Sequence, residues 1–297
     1  APEAEEYDRQ WGLRSINAPE AWAITTGSPD VIVAIIDTGV DPFALEILTG
    51  HLRVGRIVAN QFSQGEAHGL MKVHNTETGG FVLGFVEAGV SLTTGQASGE
   101  ATGELSFSKL GGTLQFGNTP VPDGTLLLGW AQASATSTAK ARGTMYAGEL
   151  NGNLGIYGNL NVGVASAMGD NSSASAAGDF HAGQIEDRLF NTGTLNVGNA
   201  TALESTTANA VGTFRATMIG DELAIGATAT IGGSLANGAS TAQAQGTLHV
   251  SQVDATVRFG SELLIGEATG HGLSSSAAAG AATLDQITGS FTVDGDV

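Results

Sequence analysis

The chain has 297 residues, with 29 acidic and 11 basic side chains, a formal net charge of −18, 44 glycines and no cysteine. A field of this sign repels nucleic acid and anionic membrane surfaces, so neither is an expected partner. The lack of cysteine excludes disulfides, thiol catalysis and thiolate metal sites.

No apolar run approaches the roughly 20 residues that a membrane-spanning helix needs. The longest clean run is only residues 31–36, so the sequence predicts no membrane span. The sequence starts at Ala1, and the residues that follow do not form a leader with a charged and then an apolar segment. We interpret it as a processed form or a fragment, and we expect an extracellular or cell-surface location.

The first predicted elements are a short helix at residues 18–24 and a strand at residues 31–36. Pro19 and Glu20 suit the first turn of a helix. The β-branched run at residues 31–36 is typical of a strand covered on both faces. It ends in Asp37, and α/β folds place ligands and catalytic groups at the carboxyl ends of buried strands. We therefore expect a small α/β segment here.

The segments QWGLRSINAPEAW (residues 10–22) and VIVAIIDTGVD (residues 31–41) resemble the start of the catalytic domain of subtilisin-like serine proteases. The resemblance implies that Asp37 is the triad acid, which orients a catalytic histidine. The histidine and serine motifs of that family, of the HGTHVAG and GTSMA type, are absent, and so is a GxSxG motif. An acid alone supplies neither nucleophile nor base. We therefore expect Asp37 to be non-functional, with a working endopeptidase as the alternative.

The composition changes near residue 80, after the stretch NTETGG at residues 75–80. From residue 81 onward the chain is rich in Gly, Ala, Ser and Thr, with apolar residues at alternate positions. Such a glycine-containing polar stretch is typical of a linker. The sequence thus predicts an incomplete, subtilase-like N-terminal segment at residues 1–80 and a β-repeat domain at residues 81–297.

An internal repeat dominates the second region. A glycine, a small or polar residue and a large apolar residue recur together, with a looser last copy, at Gly103, Gly143, Gly178, Gly212, Gly246 and Gly280. The spacings between these glycines are 40, 35, 34, 34 and 34 residues. A fixed period of this size is typical of a repeated supersecondary unit. We therefore expect six units.

Each unit contains two strand patterns. Around the repeat glycine, small or large apolar residues alternate with polar ones, as in Ala174, Ala176, Gly178, Phe180 and Ala182. This alternation is typical of a half-buried strand. The second pattern opens each unit, as in Leu160-Asn161-Val162-Gly163, and the small residues switch parity after its glycine. A glycine β-bulge would produce such a switch.

Side-chain size along one unit is nearly a palindrome: large, small, turn, small, large. A hairpin would pair small with small and large with large, as antiparallel cross-strand partners require. The predicted fold class is therefore mainly β, with long antiparallel repeat hairpins in meander order that close into a barrel or pack as a sandwich. A β-solenoid with two coils of about 17 residues per period is the alternative.

Metal and cofactor motifs are missing. No two of the six histidines have metal-ligand spacing, and HExxH is absent; they are His51, His68, His74, His181, His249 and His271. Acid and glycine turns such as Asp123-Gly124 lack the EF-hand and GGxGxD patterns. We therefore expect no metal and no cofactor, and Asp37 is the one candidate catalytic residue.

These patterns favour a secreted or cell-surface β-repeat protein with a structural or adhesive role and no catalytic competence. Long strand arrays present edge strands that favour self-association. The alternating Thr, Ser, Asn and Gln face suits recognition of a surface polymer. The alternatives are a subtilisin-like endopeptidase, or a truncated remnant of one, and a carbohydrate-binding module.

Overall fold

The computed structural model describes residues 48–60, 64–76, 81–94, 98–116, 125–134, 138–169, 172–203, 207–237, 241–271 and 275–295. These residues all belong to the second of the two compact units into which the chain divides, Asp41–Val297. Within these ranges the regular structure is β-strand, and none of it is helical. The predicted helix at residues 18–24, the predicted strand at residues 31–36 and Asp37 lie outside the described residues.

The strands, numbered in chain order, form two sheets in the described part of the chain. The seven-stranded sheet contains β2 (Gln64–Thr76), β4 (Ser98–Leu110), β7 (Thr138–Leu150), β10 (Ser173–Ile185), β13 (Thr207–Ile219), β17 (Thr241–Val253) and β21 (Ser275–Ile287). The fifteen-stranded sheet has one row of β1 (Leu48–Asn60), β3 (Phe81–Thr94), β6 (Leu126–Ser134), β9 (Leu160–Met168), β12 (Leu195–Leu203), β15 (Ala229–Ile231), β16 (Ser234–Asn237), β19 (Leu263–Ile265) and β20 (Ala268–His271). Its second row holds the short strands β5 (Leu114–Phe116), β8 (Leu154–Ile156), β11 (Leu189–Asn191), β14 (Glu222–Ile225), β18 (Thr256–Phe259) and β22 (Phe291–Val293).

Within each coil, the chain passes from one sheet to the other and back. After β7 it forms β8 and β9 in the fifteen-stranded sheet and then returns to the seven-stranded sheet as β10. Each long strand of an inner coil pairs in parallel, and in register, with the equivalent strands of the coils before and after it. Ala174, for example, lies between Ala139 and Ala208. The fold is therefore a parallel β-solenoid, with one coil for each sequence repeat.

The prediction of antiparallel hairpins is wrong. The alternative prediction of a β-solenoid is correct, except that each sequence repeat forms one coil and not two. The chain does reverse within each unit, because Gly103 packs against Ala88 across the interior. Earlier on the same strand, Gly99 packs against Thr93, which lies later on the opposite strand. The two halves nevertheless belong to different sheets, and their ladders run to neighbouring coils. The palindrome therefore reflects two facing walls, not hydrogen-bonded partners.

Residues 48–60 and 64–76, which composition assigns to the N-terminal segment, form strands of the same two sheets. β1 pairs with β3, and β2 pairs with β4. Gly69 pairs with Gly103 and Met71 with Leu105, so β2 carries its own copy of the repeat glycine and of the large residue two positions later.

The interior of the solenoid has two hydrophobic compartments. Large side chains fill the first, including Leu105, Phe107, Met145, Phe180, Ile185, Phe214 and Phe259. Alanines fill the second, including Ala131, Ala133, Ala139, Ala165, Ala167, Ala174, Ala176, Ala208 and Ala242. All of these residues are buried. Each coil is therefore wide at one end and narrow at the other.

A double row of glycines, which we call the glycine waist, separates the two compartments. Gly163 has a φ of 64°, in the left-handed region that favours glycine. A Cβ on Gly163 would overlap the carbonyl oxygen of Ala177, and a Cβ on Gly178 would overlap that of Val162. Backbone thus meets backbone across the interior. The predicted parity switch occurs here, because Val162 is buried before Gly163 and Ala165 after it. The other members are Gly55, Gly69, Gly89, Gly103, Gly129, Gly143, Gly198, Gly212, Gly232, Gly246, Gly266 and Gly280.

We expect Gly178→Ala to destabilise the solenoid by roughly 1–3 kcal/mol or more, because its methyl group would collide with the backbone of Val162 and Gly198 in the facing wall. Gly65→Ala is the matched control, since its Cβ would meet only side-chain carbons of Thr93, Ala59 and Ile57 at 3.3–3.4 Å. Urea unfolding followed by far-ultraviolet circular dichroism measures both. Equal tolerance of the two substitutions would contradict the glycine waist.

We expect Phe180→Ala to cost about 3–5 kcal/mol, the usual cost of a large cavity in a packed core. The Phe180 ring is buried and stacks on Phe214 with ring centroids 4.7 Å apart and an interplanar angle of 8°. Phe291→Ala should cost much less, because Phe291 is 43% exposed. Thermal and urea unfolding of the two variants provide the comparison, and similar losses would argue against the large-residue compartment as the stabilising core.

Candidate functional site

In-register stacking creates columns of equal position on the outside of the solenoid. Alternate residues of each strand in the seven-stranded sheet point to solvent, and neighbouring coils lie about 4.7–4.9 Å apart. The residues three positions after the repeat glycines form one such column, which we call the aromatic–basic stripe: Tyr146, His181, Arg215 and His249. The stripe crosses four consecutive coils.

The first two members of the aromatic–basic stripe contact one another. The rings of Tyr146 and His181 meet edge to face, with centroids 5.2 Å apart and an interplanar angle of 70°. His181 Nε2 lies 3.4 Å from Thr217 Oγ1. Tyr146 is 37% exposed and Arg215 is also exposed. The stripe therefore offers ring surface, a guanidinium and hydroxyl groups to solvent along one line.

Ser251, His249 and Asp285 meet at the end of the stripe, and their types are those of a catalytic triad. His249 Nε2 lies 3.0 Å from Asp285 Oδ2 and 3.3 Å from Ser251 Oγ. Both contacts use the same ring nitrogen. A triad requires the acid on one nitrogen and the nucleophile on the other, so that the histidine can pass a proton between them. This geometry is that of a surface hydrogen-bond cluster and does not activate the serine.

Most basic residues of the solenoid form ion pairs between neighbouring coils. Lys109 Nζ lies 2.6 Å from Glu149 Oε2, and this hydrogen bond raises the pKa of Lys109 above its ordinary value. Arg258 pairs with Asp294 at 2.8 Å, which raises the pKa of that guanidinium in the same way. These side chains are exposed, so each pair adds little to stability. Their charges are, however, already matched.

Three basic residues on the outer face of the seven-stranded sheet differ from the ion-paired residues. No described residue forms an ion pair with Lys140, Arg142 or Arg215. All three side chains are exposed. In a chain of net charge −18, these three residues leave positive charge on this part of the face that no ion pair balances, and an anion can bind there.

A groove of about 440 Å³ runs beside the aromatic–basic stripe, over the glycine waist. Gly103, Gly143 and Gly178 contribute their outer backbone surface to its floor. Arg142 lines the groove together with Asp179 and the following residues: Thr102, Glu104, Thr144, Ala177, Val211 and Thr213. One carboxylate oxygen of Asp179 is buried without a hydrogen-bond partner among the described residues. The groove thus holds both a free cation and hydrogen-bonding groups.

The opposite surface carries an amide ladder. Asn196 Nδ2 donates to Asn161 Oδ1 at 2.9 Å, and Asn199 Nδ2 donates to Asn196 Oδ1 at 2.9 Å. The backbone N–H of Gly233 donates to Asn199 Oδ1 at 3.0 Å. These amides satisfy one another and link three successive coils, so we assign them a structural role.

The residues singled out from the sequence do not converge on one place. Asp37 lies outside the described residues. His68 is on β2 and His271 ends β20, whereas His181 and His249 share the stripe, separated by Arg215. His51 and His74 lie on β1 and β2, with side chains outside the described set. In the ranges that the structure covers, no group of three histidine or acidic side chains is placed to hold a metal ion. Nor is any helix there long and apolar enough to cross a membrane.

The aromatic–basic stripe was not recognised in the sequence, although a signal for it exists. The histidines were considered by their spacing along the chain, which separates His181 from His249 by two whole repeats. Alignment of the repeats on their glycines places Tyr146, His181, Arg215 and His249 at the same position. Only a parallel, in-register fold turns that shared position into spatial contact.

Comparisons with protein-family models, with curated proteins and with solved structures found no match for this chain.

Proposed function

We propose that this chain is a secreted or cell-surface β-solenoid protein with a structural and adhesive role, and that it associates with further copies of itself. The observation that carries the proposal is the exposed strand at the end of the seven-stranded sheet, β21. It pairs with β17 on one side, and no described strand pairs with it on the other. A 13-residue open edge of this kind is a template for a further strand.

The side chains of β21 follow the pattern of an interior coil. Ala278 continues the column of Ala244, and Leu284 continues that of Val250. Ala244 and Val250 are buried, whereas every residue of β21 is exposed or only partly buried. A terminal repeat that ends an array usually carries a polar face, and blunted edges carry charge or proline. β21 has a single charged residue, Asp285. Its composition therefore supports association.

The polar outer columns support the adhesive part of the proposal. Thr, Ser, Asn and Gln alternate with buried residues along β13 and β17. Because the coils are in register, the column of Thr138, Ser173, Thr207 and Thr241 repeats similar hydroxyl groups at a constant spacing. A repetitive ligand can then contact several coils at once, which adds weak contacts into one larger affinity.

The peptidase alternative rests on residues 10–41, which lie outside the described residues. The surface cluster of His249, Ser251 and Asp285 does not favour it, for the reason given above. Covalent labelling of the purified chain by a serine-reactive fluorophosphonate would contradict the non-catalytic role. The expected result is no labelling.

Self-association is tested by charges placed on the inward positions of β21. We expect the wild-type chain to sediment as a concentration-dependent oligomer, and the double variant Ala278→Lys, Ala282→Lys to sediment as a monomer. Both alanines are exposed in the single chain, but a stacked copy would bury the new charges at a cost of several kcal/mol.

The matched control is Ala277→Lys, Ala281→Lys, which adds the same charges to the outward positions of the same strand. We expect this control to associate like the wild type. A wild-type chain that stays monomeric at every concentration, or equal disruption by both double variants, would contradict association through β21.

A further inference from the structure

The aromatic–basic stripe has the features of a recognition surface for a linear ligand. Tyr146, His181 and Arg215 occupy one position on three successive coils, about 4.7–4.9 Å apart. The first two present ring surface, and the third presents a guanidinium. This repeat distance is close to the length of one sugar unit in an extended polysaccharide chain, so successive units meet successive coils.

The charged residues on this surface indicate the sign of the ligand's charge. Arg215 and Arg142 have no ion-pair partner among the described residues, although the chain carries many more acids than bases. Among the acids near them in register, Glu104 is paired with Lys72 and Asp285 is bonded to His249. Asp179 lines the groove together with Arg142. A guanidinium that is left free in an acidic protein suits a carboxylate of the ligand, which it binds in a bidentate manner.

The hydroxyl groups and the groove identify its chemical nature. Thr213 and Thr217 flank Arg215 on β13, and Thr144 lies next to the groove that Arg142 also lines. Threonine hydroxyls both donate to and accept from sugar hydroxyls. The groove has a volume of about 440 Å³, which leaves space for a sugar ring beside the stripe. Hydroxyls, exposed rings and a few cations together match a sugar chain better than a nucleic acid, whose closely spaced phosphates the net charge of −18 repels.

We propose that the aromatic–basic stripe and the adjoining groove bind a polysaccharide that carries carboxylates on some of its sugars. Tyr146 and His181 contact sugar faces, Arg215 binds a carboxylate, and Arg142 contacts the same chain from the groove. This proposal rests on the adhesive role proposed above and names the class of polymer to which the protein adheres.

The test is a titration of the whole chain with hyaluronan fragments, which carry one carboxylate per disaccharide, followed by calorimetry. It is run at about 0.15 M salt, where the Debye length is about 8 Å and the repulsion from distant acids is screened. We expect Arg215→Gln to weaken binding roughly 10- to 100-fold, because a charged hydrogen bond is lost. Tyr146→Ser should weaken binding roughly 3- to 10-fold through loss of ring contact.

Arg258→Gln is the matched control, since Arg258 is an exposed arginine of the other sheet that is paired with Asp294. Its affinity should equal that of the wild type. Dextran, which has no carboxylates, and single-stranded DNA should bind at least tenfold more weakly than hyaluronan. Absence of hyaluronan binding, equal binding of dextran or DNA, or an equal loss in Arg258→Gln would overturn the proposal.

The same titration is made with the monomeric variant Ala278→Lys, Ala282→Lys. We expect its affinity per chain for short hyaluronan fragments to be unchanged, because Tyr146, His181 and Arg215 lie on β7, β10 and β13, which β17 separates from β21. Loss of stripe binding with association intact would contradict only the polysaccharide. Loss of association with binding intact would contradict only the self-assembly.

Discussion

Parallel hydrogen bonding between equivalent residues of successive coils is the constraint on which the rest of this structure depends. Each long strand of an inner coil, such as β10, is paired along its whole length with the same positions of the coil before and the coil after. Because the register has no offset, like side chains stack on like. The stacked Phe180 and Phe214 rings, 4.7 Å apart, and the amide ladder of Asn161 and Asn196 are direct consequences. The exterior columns arise in the same way.

The glycine waist determines how the interior is shared. At Gly163 and Gly178 the two walls come into backbone contact, so no side chain fits between them. On the side of this contact where the chain reverses, the walls are so close together that only alanine side chains fit between them. On the other side they diverge and accept phenylalanine, leucine and isoleucine. Most apolar stabilisation therefore comes from the wide compartment, because large buried side chains remove more surface from water.

The repeat period, the strand content and the buried face of each strand could be predicted from the sequence, because alternation such as Ala174, Ala176, Gly178 and Phe180 has only one physical interpretation. The direction of pairing could not. Ala167 and Ala174 face each other in both a hairpin and a two-walled coil, and the order of side-chain sizes is the same in both. The stripe depended on that choice, since only parallel coils bring His181 next to Arg215.

In-register stacking also links the two proposed properties of the molecule. The same regularity that leaves β21 with the pattern of an interior strand aligns Tyr146, His181 and Arg215 on the outer face. The most direct test is the distance between spin labels at Glu66→Cys and Gln243→Cys in this cysteine-free chain, measured by pulsed electron paramagnetic resonance. Five parallel coil spacings separate the two positions, which gives about 24 Å. A distance near twice that value, as an antiparallel meander with intervening strands would give, would contradict the solenoid.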